Sequence, residues 1–230
     1  MVPYFSVIIP AHNEENYIRT TLHSLKNQTL QDYESIVVAN GCTDGTEEIV
    51  RKRTDEKLRL LSLPKANVSV ARNAGALNAQ GKVLVFLDAD TTLAADSLQK
   101  MKEQFTERYM VASTKVEADS ENIKYRILAG LKSQFMKTNI YQTCSGALIC
   151  RKEDFQKVGG YHPEIIVKEH LILIKKLKEL GKYTCLDTTV VTSMRRFQKW
   201  GLAKTALFWT KQWLKYTFSN LKESEYEKVR

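Results

Sequence analysis

The sequence predicts a single α/β domain, a mostly parallel central sheet flanked by helices, followed by a basic amphipathic helix. Three observations carry this. Val83-Leu84-Val85-Phe86-Leu87 is apolar at every position, as in a strand covered on both faces. Strand-like and helix-like segments alternate four times in the first hundred residues, the rhythm of right-handed βαβ crossovers. With 230 residues and 43% apolar content, the chain can bury one large core.

Taken in order, Phe5-Ser6-Val7-Ile8-Ile9 reads as a short strand stopped by Pro10. Asn13 or Glu14 opens a helix with Tyr17, Ile18, Leu22 and Leu25 on one stripe. Glu34 to Ala39 is the second strand, broken by Asn40-Gly41. Thr43 or Asp44 caps the next helix, and Glu47-Glu48 in its first turn suit the dipole. Leu58 to Leu63 is a third strand, ended by Pro64, and Asn67 to Ala79 a helix leading through Gly81 to the Val83 strand. After Asp90, the pairs Thr91-Thr92 and Ala94-Ala95 read as a helix opening. Further on, strands are expected at Met110 to Val116, Ala147 to Cys150, Tyr183 to Leu186 and Thr189 to Thr192. Helices are expected at Asn122 to Thr138 and Lys168 to Leu180, the second ended by Gly181. No repeat, low-complexity tract or linker divides the chain.

Bulk properties narrow the setting. No segment reaches the roughly 20 apolar residues of a membrane helix, and Met1 to Glu15 lack the basic start and apolar core of a signal peptide. Cys42, Cys144, Cys150 and Cys185 show no paired metal spacing. A cytoplasmic, reducing location is the expectation. The net charge is +9, and residues 191–230 hold nine Lys/Arg against three Glu, or +6. Leu202 to Leu221 reads as an amphipathic helix: Lys204, Lys211, Lys215 and Lys222 form one stripe. Leu202, Ala206, Leu207, Trp209, Trp213 and Leu214 lie away from it. Trp and Lys on such a helix suggest peripheral contact with an anionic membrane surface, on the inner face for a cytoplasmic protein. Packing on the chain's own domain or on a second subunit is the alternative. Glu223 to Arg230 reads as a polar tail. The basic residues follow no nucleic-acid recognition motif, so no nucleic-acid partner is expected.

Chemistry concentrates at Asp88-Ala89-Asp90, at the carboxyl end of the Val83 strand, where open α/β sheets bind ligands. On a continuing strand the two carboxylates would point to opposite faces, so they act together only if the chain turns there. Such a pair suits a hard divalent cation beside phosphates. A strand-ending Asp followed by a helix cap is the competing reading. The phosphate loop G-x-x-x-x-G-K-[ST] and the dinucleotide turn G-x-G-x-x-G are both missing.

Six landmarks occur in order: Phe5-Ser-Val-Ile-Ile-Pro-Ala-His-Asn-Glu14, Val38-Ala-Asn-Gly-Cys-Thr-Asp-Gly45, Ala71-Arg-Asn-Ala-Gly75, Phe86-Leu-Asp-Ala-Asp90, Cys144-Ser-Gly-Ala147 and Gly159-Gly-Tyr161. Together, over about residues 4–197, they resemble the family 2 glycosyltransferases, GT-A-fold enzymes that use nucleotide-sugars. The resemblance implies a GT-A domain at 1–197, with a nucleotide-binding half at about 1–105 and an acceptor half at about 106–197, and a C-terminal helix and tail at 198–230. It implies a UDP- or GDP-sugar donor, Mg²⁺ or Mn²⁺, and inverting transfer to an acceptor hydroxyl, lipid-linked or membrane-associated on the strength of the basic helix. Pro10, Ala11 and Glu14 would line the base and ribose pocket, Arg72 would approach the base or pyrophosphate, and Asn40 and Asp44, where relatives have a more acidic stretch, would contact the nucleotide-sugar. Asp88 and Ala89 would lie by the ribose, Asp90 with Asp88 at the metal, and Gly146 near the donor. Arg195 and Arg196 would clamp a diphosphate or a lipid phosphate. Bland readings stand beside these: Asn40 as a turn residue, Asp44 as a helix cap, Arg72 and the arginine pair as surface charges.

Two departures from the family stand out. Many relatives carry Asp where this chain has Ala39, which leaves the nucleotide base open. Where the family shows Glu-Asp, with the Asp as general base, this chain has Glu169-His170. His170 shares a stripe with Leu173, Ile174 and Leu177 and so faces inward. A histidine titrating near ~6.5 is mostly neutral at pH 7, which prefers His170 narrowly over Glu169 as base. A satisfied core histidine is the alternative. Other functions remain open at this stage. One is a non-catalytic nucleotide-sugar-binding protein. Another is a sugar-phosphate nucleotidyltransferase, which should show a glycine-rich loop where Pro10-Ala-His-Asn stands. Sugar, acceptor and oligomeric state are not indicated.

Overall fold

A computed structural model of the chain describes residues 2–53, 56–137, 144 and 146–218. The expected helix end at Thr138, the helix beyond Phe218 and the tail from Glu223 lie outside the described residues. One eight-stranded sheet organises the rest. β1 (Phe5–Ala11) lies between β2 (Tyr33–Asn40) and β4 (Val83–Leu87), and β3 (Leu58–Leu63) pairs with β2, all parallel. On the far side of β4, β7 (Ala147–Arg151) runs antiparallel to it and to β6 (Tyr109–Ala118). β8 (Lys182–Thr192) is parallel to β6, and the short β5 (Thr91–Leu93) closes the edge antiparallel to β8.

Helices cover both faces: α1 (Ile18–Lys26), α2 (Thr46–Arg51), α3 (Val68–Asn78), α4 (Ser97–Gln104), α5 (Ile123–Lys137), α6 (Lys152–Lys157), α7 (Glu169–Lys178) and α8 (Arg195–Phe218). The unbroken apolar run of β4 is explained directly. Val83, Val85 and Leu87 enter one core with Leu22 and Leu25 of α1 and Leu98 and Met101 of α4. Leu84 and Phe86 enter the other, with Ala71 and Ala76 of α3 and Leu173, Ile174 and Leu177 of α7. Successive strand residues point to opposite faces, so both cores demand apolar residues from one short strand.

Several expectations are corrected. β1 continues through Pro10 to Ala11: its pairing with β4 ends at Ile8↔Phe86, and beyond that point it pairs only with β2. A proline without an N–H is tolerated where one neighbour has been lost. Thr91–Leu93 is a strand, not a helix opening, because Thr192, Val191 and Val190 offer it an edge. The helix begins at Ser97. The strands expected at Tyr183 and Thr189 are one strand, bulged between Leu186 and Thr189 in its register against β6. α1 starts at Ile18, after a turn in which Tyr17 N and Ile18 N donate to Glu14 O. α6 was not legible in the sequence. The C-terminal helix starts at Arg195 and breaks at Gly201 (φ 76°, ψ 166°).

α3 sits unusually close to the sheet. A Cβ at Gly75 would lie 2.4 Å from Ile8 Cγ2, a fully buried branched side chain. Gly75→Ala should therefore destabilise the fold by about 1–3 kcal/mol through overpacking. The check is the urea unfolding midpoint, and an unchanged midpoint would refute the close-approach account.

Candidate active site

β1 and β4 lie side by side, but the chain leaves β1 toward β2 and leaves β4 toward the opposite side of the sheet. That reversal opens a crevice at their carboxyl ends. Asp88 follows β4, and the chain turns there: Thr91 N donates to Asp88 O at 3.1 Å. The turn puts Asp90 near Asp88 instead of across the sheet from it. Gly146 anchors it, its carbonyl accepting from Asp88 N at 3.0 Å. With φ +93° and only 2.7 Å between a Cβ there and Val190, Gly146 has no room for a side chain.

Two arginines meet four carboxylates in this crevice. Arg72, the fifth residue of α3 and 3% exposed, donates Nη1 to Glu169 Oε1 (2.6 Å) and Nη2 to Asp88 Oδ1 (2.9 Å). Its guanidinium stacks over the Tyr161 ring at 5.3 Å. α3 is fixed in place by its cap, Asn67 Oδ1 accepting from Val70 N at 3.0 Å. Burial disfavours the charge of Arg72, but Glu169, Tyr161 and Asp88 outweigh it and raise its pKa. Arg195, at the start of α8, holds Glu14 through both terminal nitrogens (2.6 and 2.8 Å) and Asp90 Oδ2 through Nη2 (2.9 Å). Tyr17 lies beneath it at 4.6 Å. Burial pushes Asp90 up to about 7 despite Arg195, with Asp88 and Glu14 adding to the rise.

At the start of α7, Lys168 takes a left-handed conformation (φ 60°) that turns the chain into the helix. Glu169 faces Arg72, while His170 Nδ1 is 2.8 Å from the Tyr161 hydroxyl and its ring packs on that tyrosine at 5.5 Å. Asn73 fixes Tyr161 in turn, donating to its carbonyl (2.8 Å) and accepting from its N–H (3.0 Å). Burial, then the charge of Arg72, holds His170 well below its ordinary 6.5.

Other expected site residues are placed differently. Asn40 donates Nδ2 to Ala11 O (2.8 Å) and accepts at Oδ1 from Asn67 N (3.0 Å), which joins β1 to the entry of α3. Asp44 accepts from Thr46 N (3.0 Å) and Glu15 N (3.2 Å), and these bonds to Thr46 and Glu15 outweigh burial and lower its pKa. Pro10 and Ala11 are buried within β1 at the crevice floor, and Ala89 is buried with its carbonyl accepting from Thr21 Oγ1 (2.7 Å). Arg196 stacks on Trp200 (5.5 Å) and Trp209 (5.6 Å). Sequence reasoning missed Tyr161, Asn73, Tyr17 and Lys132 as site residues. The first two stand inside quoted landmarks. Lys132, which lies within electrostatic reach of Asp88 and Arg196, carried no signal.

The model of the glycosyl transferase family 2 matches residues 6–159. Over 109 residues the chain is 37% identical to the putative teichuronic acid biosynthesis glycosyltransferase TuaG of Bacillus subtilis, covering 46% of this chain and 43% of that protein. It is 34% identical over 106 residues to the hyaluronan synthase of Pasteurella multocida, 45% of this chain and 11% of the synthase. The chain thus spans less than half the length of these curated relatives. Among solved structures, the mannosyltransferase PcManGT of Pyrobaculum calidifontis, in complex with GDP-Man and Mn²⁺, matches with TM-score 0.73 and 19% identity over 96% of this chain and 66% of that one. S. aureus TarS 1–349 in complex with UDP-GlcNAc matches with TM-score 0.65 and 22% identity over 82% and 58%. At these identities the structural likeness shows a shared fold, GT-A.

The depressed histidine has a pH signature. A neutral His170 is favoured by folding, so its contribution is fully present above about 6.5 and is lost as pH falls toward the depressed value. As pH falls from 7.5 to 5, the native chain should lose stability relative to His170→Gln, because Asp90, held up at about 7, acts in the opposite sense equally in both proteins. Parallel pH dependence in the two proteins, read from urea midpoints, would show that His170 is not the group responsible.

Proposed function

Because the chain belongs to glycosyl transferase family 2, we propose that it transfers a sugar from a nucleotide-sugar donor to an acceptor hydroxyl in the crevice between β1 and β4. The single observation that carries this is the turn at Asp88-Ala89-Asp90, which gathers two carboxylates where open α/β sheets bind ligands. GDP-Man in PcManGT and UDP-GlcNAc in TarS support a nucleotide-sugar donor. Ala39 is buried in β2 and offers no carboxylate to a base, so UDP- and GDP-sugars are both retained.

Asp88 and Asp90 would hold Mg²⁺ or Mn²⁺. Among the described residues no three His, Cys, Asp or Glu side chains group around a metal position. Two carboxylates nevertheless fit such an ion, which commonly takes one or two protein carboxylates and fills its shell with substrate phosphates and water. Glu14, Asp88, Asp90 and Glu169 against Arg72 and Arg195 leave a formal charge of two negatives (four minus two) among the ion-paired groups. That excess favours a divalent cation over a bare diphosphate. When bound, the cation supplies charge neutralisation on the leaving nucleoside diphosphate.

Transfer proceeds by single displacement with inversion: the acceptor oxygen bonds to the anomeric carbon as the donor's sugar–phosphate bond breaks. We assign the general base to Glu169 in preference to His170. Nδ1 of His170 is occupied by Tyr161, and its depressed pKa makes the ring a weak proton acceptor. Glu169 lies on the same guanidinium as Asp88, which ties the acceptor side to the donor side. A carboxylate is basic enough here, as in inverting glycosidases, because the hydroxyl proton becomes acidic only as the new bond forms.

Two experiments test this. Asp90→Asn should cut Mn²⁺-dependent release of nucleoside diphosphate from UDP- or GDP-sugars by about 10²–10³-fold. Unimpaired turnover would sink the metal assignment. Glu169→Gln should lower kcat at least about 100-fold while the donor-induced melting shift persists, and His170→Ala should retain most of its kcat. The reverse pattern would return the base to His170.

A further inference from the structure

α5 and α8 are built inside out. α5 turns Ala129 (3% exposed) and Ser133 (9%) toward the sheet, and Ser133 Oγ fixes that orientation by accepting from Val116 N (2.9 Å) and donating to Val116 O (2.7 Å). Its large apolar residues recur every fourth position on the opposite side: Ile123 (62%), Ile127 (54%), Leu131 (54%) and Phe135 (57%) are all exposed. α8 repeats the inversion, burying Thr205 and Gln212 while Leu202 (42%), Leu207 (70%) and Trp209 (36%) face outward. The two helices adjoin where Tyr125 packs on Phe197 (6.2 Å) and Tyr125 OH donates to Phe197 O (3.4 Å). Neither contains an acidic residue: α5 carries four Lys/Arg and α8 six.

We propose that the exposed face of α5, continued by α8, docks on an anionic lipid surface. Apolar side chains set among lysines and arginines match the acyl boundary and the charged headgroups respectively, each basic residue near such a surface contributing favourably. A second copy of the chain is a poorer occupant, since it would bring exposed Lys124, Arg126, Lys199, Lys204 and Lys211 against the same cations of its partner. No helix among the described residues is long and apolar enough to cross a membrane, so the contact is peripheral. The surface adjoins the crevice through Arg195, which heads α8, and through Lys132 of α5, which lies within reach of Asp88. A membrane-borne acceptor would therefore arrive beside Glu169. That last step rests on the transfer reaction proposed above, and the docking itself does not.

The test uses the full chain and sedimented vesicles, either of phosphatidylcholine alone or with roughly 30% phosphatidylglycerol. The native chain should pellet with the anionic vesicles, lose that binding as salt rises, and stay in solution with phosphatidylcholine. Ile127→Gln/Leu131→Gln, at exposed positions that make none of the ion pairs of the crevice, should reduce the bound fraction about tenfold. Its melting shift with Mn²⁺ and nucleotide-sugar should equal that of the native chain. Native protein left in solution with anionic vesicles, or a variant that pellets equally well, overturns the proposal. So does a dimer seen by light scattering that the variant dissociates, which would make α5 a self-interface. Vesicle binding that persists while no nucleotide-sugar shifts the melting curve refutes the transferase reading and leaves the docking surface standing.

Discussion

The fork of Arg72 is the constraint on which the site depends. A guanidinium 3% exposed would be strongly unfavourable alone, yet here it meets Asp88 at the tip of β4 and Glu169 at the head of α7. Glu169, 12% exposed, is the better-buried partner, and its removal would leave the guanidinium to Asp88 alone, whose carboxylate is 37% exposed and partly screened by water. The rigid planar fork also fixes spacing, since each carboxylate sits at its own terminal nitrogen. Asp88 and Glu169 are thereby held at one separation by a residue from a third element, α3. That element reaches its place only because Gly75 lets it close on Ile8.

A second arginine performs the complementary closure. Arg195 bonds Glu14 across 181 residues, tying the end of the last strand to the turn after the first. It also shares Asp90, so one guanidinium engages two carboxylates. The site is thus arranged as carboxylates bridged by guanidinium groups, with burial raising Asp90. Under the metal assignment proposed above, a cation there would compete with that carboxylate's proton and with Arg195.

The inside-out helices show a different use of hydrophobicity. In the sheet, apolar residues are spent on two cores; on α5 and α8 they are left on the surface while alanine, serine, threonine and glutamine face inward. Folding does not require those exposed side chains, which is the usual mark of a surface kept for a partner. The positive charge that accompanies them restricts which partner that is.

By itself the sequence determined the parallel half of the fold. Alternation of apolar strands with capped helices is local, and β4's unbroken run states that both of its faces are covered. It also carried the six landmarks, and with them the family and the candidate carboxylates. Tertiary structure decided what depends on neighbours. Thr91–Leu93 became a strand because β8 offered an edge, and β1 ran through Pro10 because β4 had ended. Which guanidinium meets which carboxylate was equally hidden, since Arg72 and Glu169 are 97 residues apart and no local pattern records their meeting. Amphipathicity told that the C-terminal helix has an apolar side; only the packing of Thr205 and Gln212 decided that this side faces out. Period and propensity are properties of a segment, whereas orientation and pairing belong to the surfaces that the segment finally meets.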